Sequence, residues 1–202
     1  ETVEMMILLG KKIKEAAKIP IGVSVLWNDY KSALFIAKKI GAQFIRVPVF
    51  VDSARTNYGD VIANPESILK YRKKIGAEDV AIFTDIHVKH AELLGKRTIG
   101  ESAGLAIEKG SDALIITGKW TGDAPDIKDL KNVRSRAKNF PILIGSGADA
   151  TNIKKLLKYA NGAIVSTSLK EGGVKKEEIN VKAYQQRIDI DKVQKLVQMI
   201  NK

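Results

Sequence analysis

Titratable side chains gather at one end of residues 79–91, which read DVAIFTDIHVKHA. If this stretch is a β-strand, alternation places Asp85 and His87 on one face, while the other face is apolar apart from one threonine. Lys89 and His90 follow just past the predicted strand end. An acid and an imidazole rarely share a buried strand face unless they are paired or functional. We therefore predict that the chemical centre of the protein lies here.

Three kinds of chemistry fit this group once Arg46 is added, since alternation on the preceding strand also turns Arg46 inward, toward Asp85. In an acid–base site, Asp85 would orient a histidine whose pKa lies near neutrality, and the candidate catalytic residues are Arg46, Asp85, His87, Lys89 and His90. In a metal site, the ligands would be Asp85, His87 and His90, although no H-E-x-x-H spacing supports this. In a structural site, the same groups would form an ion-pair and hydrogen-bond network. The sequence leaves the three open and assigns no cofactor.

Small and hydroxyl-bearing residues follow the last two predicted strands. Gly145, Ser146 and Gly147 come after the penultimate strand, and Thr167 and Ser168 come after the last one. In α/β barrels, backbone N–H groups and a helix N-terminus at this place often hold a substrate phosphate, and glycine lets the backbone approach the anion. We predict that these five residues bind phosphate; the alternative is a pair of ordinary turns.

Two further stretches are candidates for ligand contact. Asn28 lies at the end of the first predicted strand, where its amide would orient a ligand, although the neighbouring Asp29 fits equally well as the N-cap of the next helix. Residues 118–126 hold Lys119 and Trp120 among several polar groups. This segment is predicted either as a lid over the site or as an ordinary surface loop.

A helix followed by six strand–helix units must position these residues. Apolar periodicity predicts helices at 2–18, 31–40, 65–75, 99–109, 127–138, 150–159 and 191–200. Strands are predicted at 21–27, 43–50, 79–88, 113–117, 141–144 and 163–166. Residues 51–64 are predicted as a long polar loop, and a Gly- and Lys-rich loop precedes the last helix. Strands that alternate with helices in this way indicate a parallel sheet covered by helices.

The strand faces favour a closed barrel over a doubly wound sheet. In a doubly wound sheet both strand faces are apolar, whereas here one face mixes small, large and charged residues, as the interior of a barrel does near its mouth. No G-x-G-x-x-G follows any predicted strand, which weakens a dinucleotide-binding fold. A (β/α)8 TIM barrel needs eight strands and about 250 residues. We therefore predict a single barrel domain over residues 1–202 that lacks its first two strand–helix units, roughly 60 residues upstream.

Composition narrows the function classes. The chain has 202 residues, 45% of them hydrophobic, and no cysteine, which favours a reducing compartment such as the cytoplasm. No apolar stretch is long enough to span a membrane. The net charge is +11, but the basic pairs are scattered and are not interleaved with aromatic residues, which argues against nucleic acid as a partner. The charge is better suited to steering anionic substrates. Many Lys and Ile residues without cysteine are also typical of a thermophilic source.

The sequence resembles the BtpA family of TIM-barrel proteins. The stretches that carry the resemblance are IPIGVSVLWND, GAQFIRVPVF, YRKKIGAEDVAIFTDIHVKHA, SDALIITGKWTGDAPD, PILIGSGA and GAIVSTSLK. The family takes its name from a membrane-peripheral factor for photosystem I biogenesis. The resemblance implies a complete barrel whose first two strands are absent here, and it supports as site positions Asn28, Asp85, His87, Lys89, His90 and Gly145 to Gly147. It brings no established reaction.

Our leading hypothesis is a barrel enzyme that acts on a small phosphorylated or anionic metabolite. The glycine turn with Thr167 and Ser168 would hold the anion, and Asp85, His87 and Lys89 would move protons. Isomerase, lyase and hydrolase chemistry all remain open. The competing hypothesis is a non-catalytic assembly factor of the photosystem I biogenesis type, with the barrel as a binding scaffold and with peripheral membrane association. A homo-oligomer is compatible with either.

Overall fold

The computed structural model describes residues 1–172 and 187–201. Its helices are α1 (Thr2–Ala16), α2 (Tyr30–Ile40), α3 (Pro65–Lys74), α4 (Ile99–Glu108), α5 (Ile127–Ala137), α6 (Ile153–Leu156) and α7 (Ile190–Asn201), with one 3-10 turn at Thr167–Leu169. Its strands are β1 (Gly22–Val23), β2 (Phe44–Val47), β3 (Ala54–Thr56), β4 (Gly59–Val61), β5 (Ala81–Ile86), β6 (Glu92–Leu93), β7 (Ala113–Ile116), β8 (Ile142–Ile144) and β9 (Gly162–Ala163). The predicted Gly- and Lys-rich loop lies largely outside the described residues.

The main sheet has six parallel strands in the order β1-β2-β5-β7-β8-β9. This spatial order follows the chain without reversal, whereas a doubly wound sheet reverses its order at a switch point. A sheet wound in one direction is the arrangement of a (β/α) barrel, so the six predicted strand–helix units are confirmed. Within residues 1–172 and 187–201, β1 pairs only with β2, and β9 pairs only with β8.

Local sequence signals set the helix ends. Thr98 begins α4 with a capping box, in which its side chain accepts from the Glu101 N–H and the Glu101 carboxylate accepts from the Thr98 N–H. Pro65 occupies the first turn of α3, and Gly41 ends α2 in the left-handed conformation with φ 67°. These ends lie within two residues of the predicted ones. By contrast, α6 is one turn long rather than the ten residues predicted.

The apolar core lies between the outer face of the sheet and the helices. On β5, Ile82, Thr84 and Ile86 are fully buried on this side, as the alternation predicted. Burial of each large aliphatic side chain contributes about 1.5–3 kcal/mol to stability. On the inner face, the rings of Phe44 and Phe83 stack with their centroids 4.4 Å apart. This aromatic layer fills the lower interior, so polar groups of the inner face lie above it, toward the carboxyl ends of the strands.

The prediction of a long polar loop at residues 51–64 is wrong in one respect, because residues 54–61 form a β-hairpin. β3 and β4 pair antiparallel from Ala54↔Val61 to Thr56↔Gly59, and β6 joins the other edge of β3. Gly59 lies at φ 107°, a conformation that glycine adopts readily. The three strands are short and partly exposed, and their apolar pattern is too weak to predict them. Since they follow β2 and β5, they stand at the carboxyl-terminal end of the main sheet.

None of the described helices combines the length and the apolar character that a membrane span requires.

Candidate functional site

A wide cavity of about 1760 Å³ opens at the carboxyl ends of the parallel strands. Its floor is formed by the ends of β2, β5 and β7, one wall by the β3–β4 hairpin with β6, and another by residues 117–126. Parallel barrels carry their binding and catalytic groups at this end, since the loops that follow all strands meet there. The cavity therefore defines the candidate site.

Arg46 and Asp85 form a bidentate ion pair in the floor of this cavity. The Arg46 Nε and Nη2 atoms each donate to one Asp85 carboxylate oxygen at 2.7 Å. The Asp85 side chain has no exposed surface, whereas 23% of the Arg46 side chain is exposed. Burial raises the pKa of the Asp85 carboxyl, and the hydrogen bonds from Arg46 oppose that rise. The predicted ion pair is confirmed, and it fixes the Arg46 guanidinium with its remaining nitrogen, Nη1, available.

Lys89 lines the same cavity and is partly buried. Within the described residues, its Nζ atom forms no hydrogen bond and no ion pair, unlike the groups around it. Burial lowers the pKa of Lys89, the positive charge of Arg46 lowers it further, and Asp85 raises it. The site thus holds an amine that is easier to deprotonate than an ordinary lysine.

His87 does not interact with Asp85 as predicted. Its backbone is in the left-handed region with φ 54°, which ends the strand alternation at Ile86. The ring Nε2 atom lies 3.2 Å from the Ser102 hydroxyl on α4, so the imidazole is held by the helix rather than by the carboxylate. Burial lowers the pKa of His87, while Asp52 and Asp129 raise it. His87 therefore belongs to the cavity wall next to α4.

His90 is attached to the loop that was predicted as a lid. Its Nε2 atom is 2.8 Å from the Thr121 hydroxyl, its ring centroid is 5.5 Å from that of Trp120, and its N–H donates to the Lys119 carbonyl at 3.3 Å. Burial lowers the pKa of His90, and the charge of Lys89 lowers it further. The loop therefore forms a wall of the cavity.

The metal interpretation finds no support in this geometry. Asp85 binds Arg46, His87 contacts Ser102, and His90 contacts Thr121, so the three do not converge. Across residues 1–172 and 187–201, no cluster of three or more His, Asp or Glu side chains has the arrangement of a metal site.

The predicted phosphate turn lies beneath residues 118–124. The Ser146 hydroxyl accepts from the Gly118 N–H at 2.9 Å and donates to the Asp123 carbonyl at 2.7 Å. Gly147, at φ 64°, packs so closely against this loop that a side chain there would overlap the Ala124 backbone. These hydroxyl and backbone contacts hold the covering loop in place.

The hydroxyl of Ser168 is likewise engaged, since it donates to the Ala148 carbonyl at 2.8 Å. The predicted role of the Ser146 and Ser168 hydroxyls as phosphate ligands is thus not supported, because both already bind the protein. In the described part of the chain, the N–H groups of Gly147, Thr167 and Ser168 have no acceptor. What this turn offers an anion is backbone N–H groups.

Asn28 does not line the cavity. Its amide nitrogen donates to the Val49 carbonyl and its amide oxygen accepts from the Val49 N–H, both at 2.8 Å. The side chain therefore ties the segment after β1 to the segment after β2, and Asp29 caps α2 through the Ser32 N–H at 3.0 Å. A ligand-binding role for Asn28 is not supported, because both polar atoms of its amide are used.

Sequence reasoning missed Thr117, which directly follows β7 and lines the cavity. Its hydroxyl is buried and has no hydrogen-bond partner in the described structure, and the residue is 9% exposed. A side chain added at Gly145 would overlap Ile115 and Thr117 and come within 3.6 Å of Arg46 Nη2, so only glycine lets these side chains pack together here. The alternation from Ile115 on β7 to Thr117 directly after it was the available signal.

A second pair, Asp52 with Arg97, was also missed. Arg97 Nε donates to Asp52 Oδ1 at 2.9 Å, and the other carboxylate oxygen, Oδ2, is buried without a partner in the described structure. Asp52 is 8% exposed, whereas 43% of the Arg97 side chain is exposed. This pair links the segment after β2 to the start of α4, behind His87.

The fold matches solved barrel enzymes. Phosphoribosyl anthranilate isomerase from Thermus thermophilus superposes with a TM-score of 0.63 over 95% of this chain and 78% of that protein, at 13% identity. At that identity the likeness establishes the fold alone, and the fold is that of a TIM barrel.

Two other proteins are much more similar to this chain in sequence than the solved barrel is. The photosystem I biogenesis protein BtpA of Synechocystis is 41% identical over 172 residues, which are 85% of this chain and 60% of that protein. A protein of Methanocaldococcus jannaschii is 34% identical over 204 residues, covering 100% of this chain and 72% of its own length. The chain thus spans about three fifths of the Synechocystis relative. The model of the BtpA family matches residues 1–202, and the chain belongs to that family.

Proposed function

We propose that this BtpA-family barrel is an enzyme that acts on a small anionic or phosphorylated metabolite. The observation that carries the proposal is the position of Lys89: a partly buried amine without a partner in the described structure, beside the Arg46–Asp85 pair in the cavity floor. Binding sites are typically concave, with a few polar groups that converge on one place and have perturbed pKa values.

The charges of the floor favour an anion. Asp85 neutralises Arg46, so the charge of Lys89 is the one left uncompensated there. The walls carry the acidic residues Glu92, Asp123, Asp126 and Asp129, so the preference for an anion is that of the floor alone. An anion bound at Lys89 would therefore regain the electrostatic energy that the buried amine loses.

A phosphate group would bind at the turn after β8, which lies beneath residues 118–124 and next to the cavity wall that they form. The unpaired N–H groups of Gly147, Thr167 and Ser168 are the donors, and no side-chain charge is needed there. Because residues 118–124 lie across this turn, binding requires that the loop shift, as loops over barrel sites commonly do.

The reaction class within this proposal is proton transfer. Lys89 acts as the base or the acid in the cavity floor, and its charge lowers the pKa of His90. Asp85 holds Arg46 in place. An isomerase, a lyase and a hydrolase all use such groups. His87, held by Ser102, is a wall residue rather than a proton carrier in this scheme.

The test is a titration with inorganic phosphate at constant ionic strength, followed by the thermal unfolding midpoint. Saturable stabilisation is expected, because a ligand that binds only the folded state raises that midpoint. Lys89→Met should weaken the stabilisation, because it removes the uncompensated charge of the cavity floor, and Lys11→Met, an exposed lysine of α1, should leave it unchanged. A midpoint that is insensitive to phosphate, or equal responses of both variants, would contradict the proposal.

We also propose that the six strands are part of an eight-stranded barrel. An open edge leaves backbone groups unpaired, and β1 and β9 each have one edge without a partner in the described structure. Four large apolar residues of α1 (Met5, Leu8, Leu9 and Ile13) are each about half exposed, at 51%, 52%, 50% and 53%. Two further strand–helix units would cover these residues and pair with β1 and β9. Intact mass of the protein from its native source would contradict this if it equalled the 22.1 kDa of the present chain.

A second candidate function is a non-catalytic assembly factor, as the name of the Synechocystis relative says of that protein. The observation that favours it is an apolar rim around the cavity mouth, where Leu26, Tyr58 and Trp120 are 67%, 85% and 50% exposed. Self-association and peripheral attachment to a membrane belong to this candidate. Lys89→Met in the full-length protein separates the two, because a scaffold keeps its biological activity and an enzyme loses it.

A further inference from the structure

We infer that Lys89 forms an imine with the carbonyl carbon of a small anionic ligand. The inference rests on the proposed function and names its substrate class, which is 2-oxo acids and phosphorylated ketones or aldehydes. Three features carry it: the attachment of the Lys89 backbone, the surroundings of its Nζ atom, and the donors that remain open beside it.

The backbone that carries Lys89 is anchored. The preceding residue, Val88, is 8% exposed and packs with Val49 and Ala54 in a small apolar cluster outside the main core. On the other side, the N–H of His90 donates to the carbonyl of Lys119. The packing of Val88 fixes the backbone from which the Lys89 side chain enters the cavity, and a fixed backbone helps to position a nucleophile.

The surroundings of the amine favour its neutral form. Burial and the charge of Arg46 lower the pKa of Lys89, and Asp85, which acts in the other direction, is bound to Arg46. His90 is the other titratable group whose charge couples to Lys89, and burial lowers its pKa as well. Desolvation and a neighbouring cation are the two means by which proteins turn a lysine into a nucleophile.

Open donors lie where the acid group of such a ligand would sit. Arg46 Nη1 donates to no described residue, and the Thr117 hydroxyl is buried without a partner. A carboxylate in the cavity beside Arg46 would accept from Nη1, and a carbonyl carbon attached to it would then face Lys89. This is the arrangement that a 2-oxo acid presents.

The step is balanced without a further reactant. The neutral Lys89 amine attacks the carbonyl carbon, so a C–N bond forms and the carbonyl oxygen takes up a proton to give a carbinolamine. The C–O bond then breaks, and the oxygen leaves as water with the two hydrogens that the amine has lost. The product is a C=N bond between Lys89 and the ligand, and no electrons are gained or lost.

The test traps this bond with sodium cyanoborohydride. The protein is incubated with pyruvate or with dihydroxyacetone phosphate and the reductant, and the modified residue is located by peptide mass mapping. The expected result is one reduced adduct at Lys89, which inorganic phosphate slows. Adducts spread over exposed lysines without preference for Lys89 would overturn the inference.

Two variants serve as controls. Lys119→Arg removes the other lysine of the cavity, which lies on the exposed loop, and should keep the adduct, whereas Lys89→Arg should lose it. If Lys89→Arg does not fold, the unaltered protein serves instead. Inorganic phosphate should then slow formation of the reduced adduct at Lys89 and leave any adduct at Lys11 unchanged. Stabilisation by phosphate without an adduct refutes imine formation and leaves the proposed function standing; absence of both refutes both.

Discussion

Two groups of polar residues at the carboxyl ends of the strands, one in the cavity floor and one at the turns after β8 and β9, use their polar atoms differently. On the β2–β5 side, Arg46, Asp85 and Lys89 present side-chain charge to the cavity, and the ion pair joins neighbouring strands. On the β8–β9 side, the Ser146 and Ser168 hydroxyls are bonded to nearby backbone, which leaves backbone N–H groups as the open donors.

The difference shows that the geometry of one side depends on the main sheet, whereas the geometry of the other depends on a loop. The charged side is built on adjacent strands whose register is fixed by their ladder, so its geometry persists as long as the sheet does. The backbone side is closed by residues 118–124 and changes whenever they move. Fixed charge on one side and an adjustable backbone surface on the other suit a ligand with one reacting end and one anchored end.

The largest expected effect comes from breaking the charged side. Arg46→Met leaves the fully buried Asp85 carboxylate without its partner, which should lower the free energy of unfolding by about 3–5 kcal/mol. Denaturant unfolding measures the change.

Arg97→Met is the matched control for this prediction, since it removes the arginine of the other buried pair. Because 43% of the Arg97 side chain is exposed, water can replace it, and the expected loss is smaller, roughly 1–2 kcal/mol. The double change Arg46→Met with Asp85→Leu should recover most of the stability, because the stranded carboxylate is gone. Equal losses for both single variants would remove the distinction between the pairs.

On the backbone side, Gly147→Ala should cost roughly 2–4 kcal/mol, because a left-handed backbone and an overlap with Ala124 add together. Gly41→Ala is matched in conformation, at φ 67° against 64°, but meets only open space. It should cost about 1–2 kcal/mol. If thermal or denaturant unfolding gives the same loss for both, the loop is not packed on the turn as described.

Lowering the pH should destabilise the protein through His87 more than through His90, the two histidines of the cavity wall. The pKa of His87 is lowered in the folded protein, so below its ordinary value of 6.5 the unfolded chain binds the proton first. Stability should therefore fall as the pH drops below 6.5, and the loss should be complete once the folded-state pKa is passed.

The measurement is urea unfolding at about pH 7.5 and about pH 5.5, a span that brackets the ordinary histidine pKa. His87→Asn should remove more of the pH dependence than His90→Asn, because His87 is enclosed by α4 and His90 stands at the loop. A pH dependence that neither variant reduces would assign the loss to other groups.

The smallest effect concerns the Thr117 hydroxyl. Thr117→Val removes a buried donor that has no partner in the described structure, so the free energy of unfolding should stay the same or rise slightly. Thr84→Val is matched in type and burial, but its hydroxyl lies 2.8 Å from that of Ser111. It should cost about 1–3 kcal/mol. Denaturant unfolding of both variants measures the difference, and equal losses would contradict the account of the Thr117 hydroxyl as unpartnered.

Most of the fold could be predicted because it rests on local patterns. Alternation turned Arg46 and Asp85 to the same face, and both belong to strands that pair in register, so their contact followed from period and order alone. The β3–β4 hairpin could not be predicted in this way, since its few residues carry almost no periodic signal.

The sequence by itself determined the strand–helix order, the inward charges and the identity of the residues at the strand ends. Only the tertiary structure decided what each polar group binds. His87 turned away from Asp85 because one left-handed residue ended the alternation, and the hydroxyls of Ser146 and Ser168 were taken by backbone that is distant or unremarkable in the sequence. Hydrogen bonds depend on ångström-scale distances between segments, and no periodicity along the chain encodes those distances.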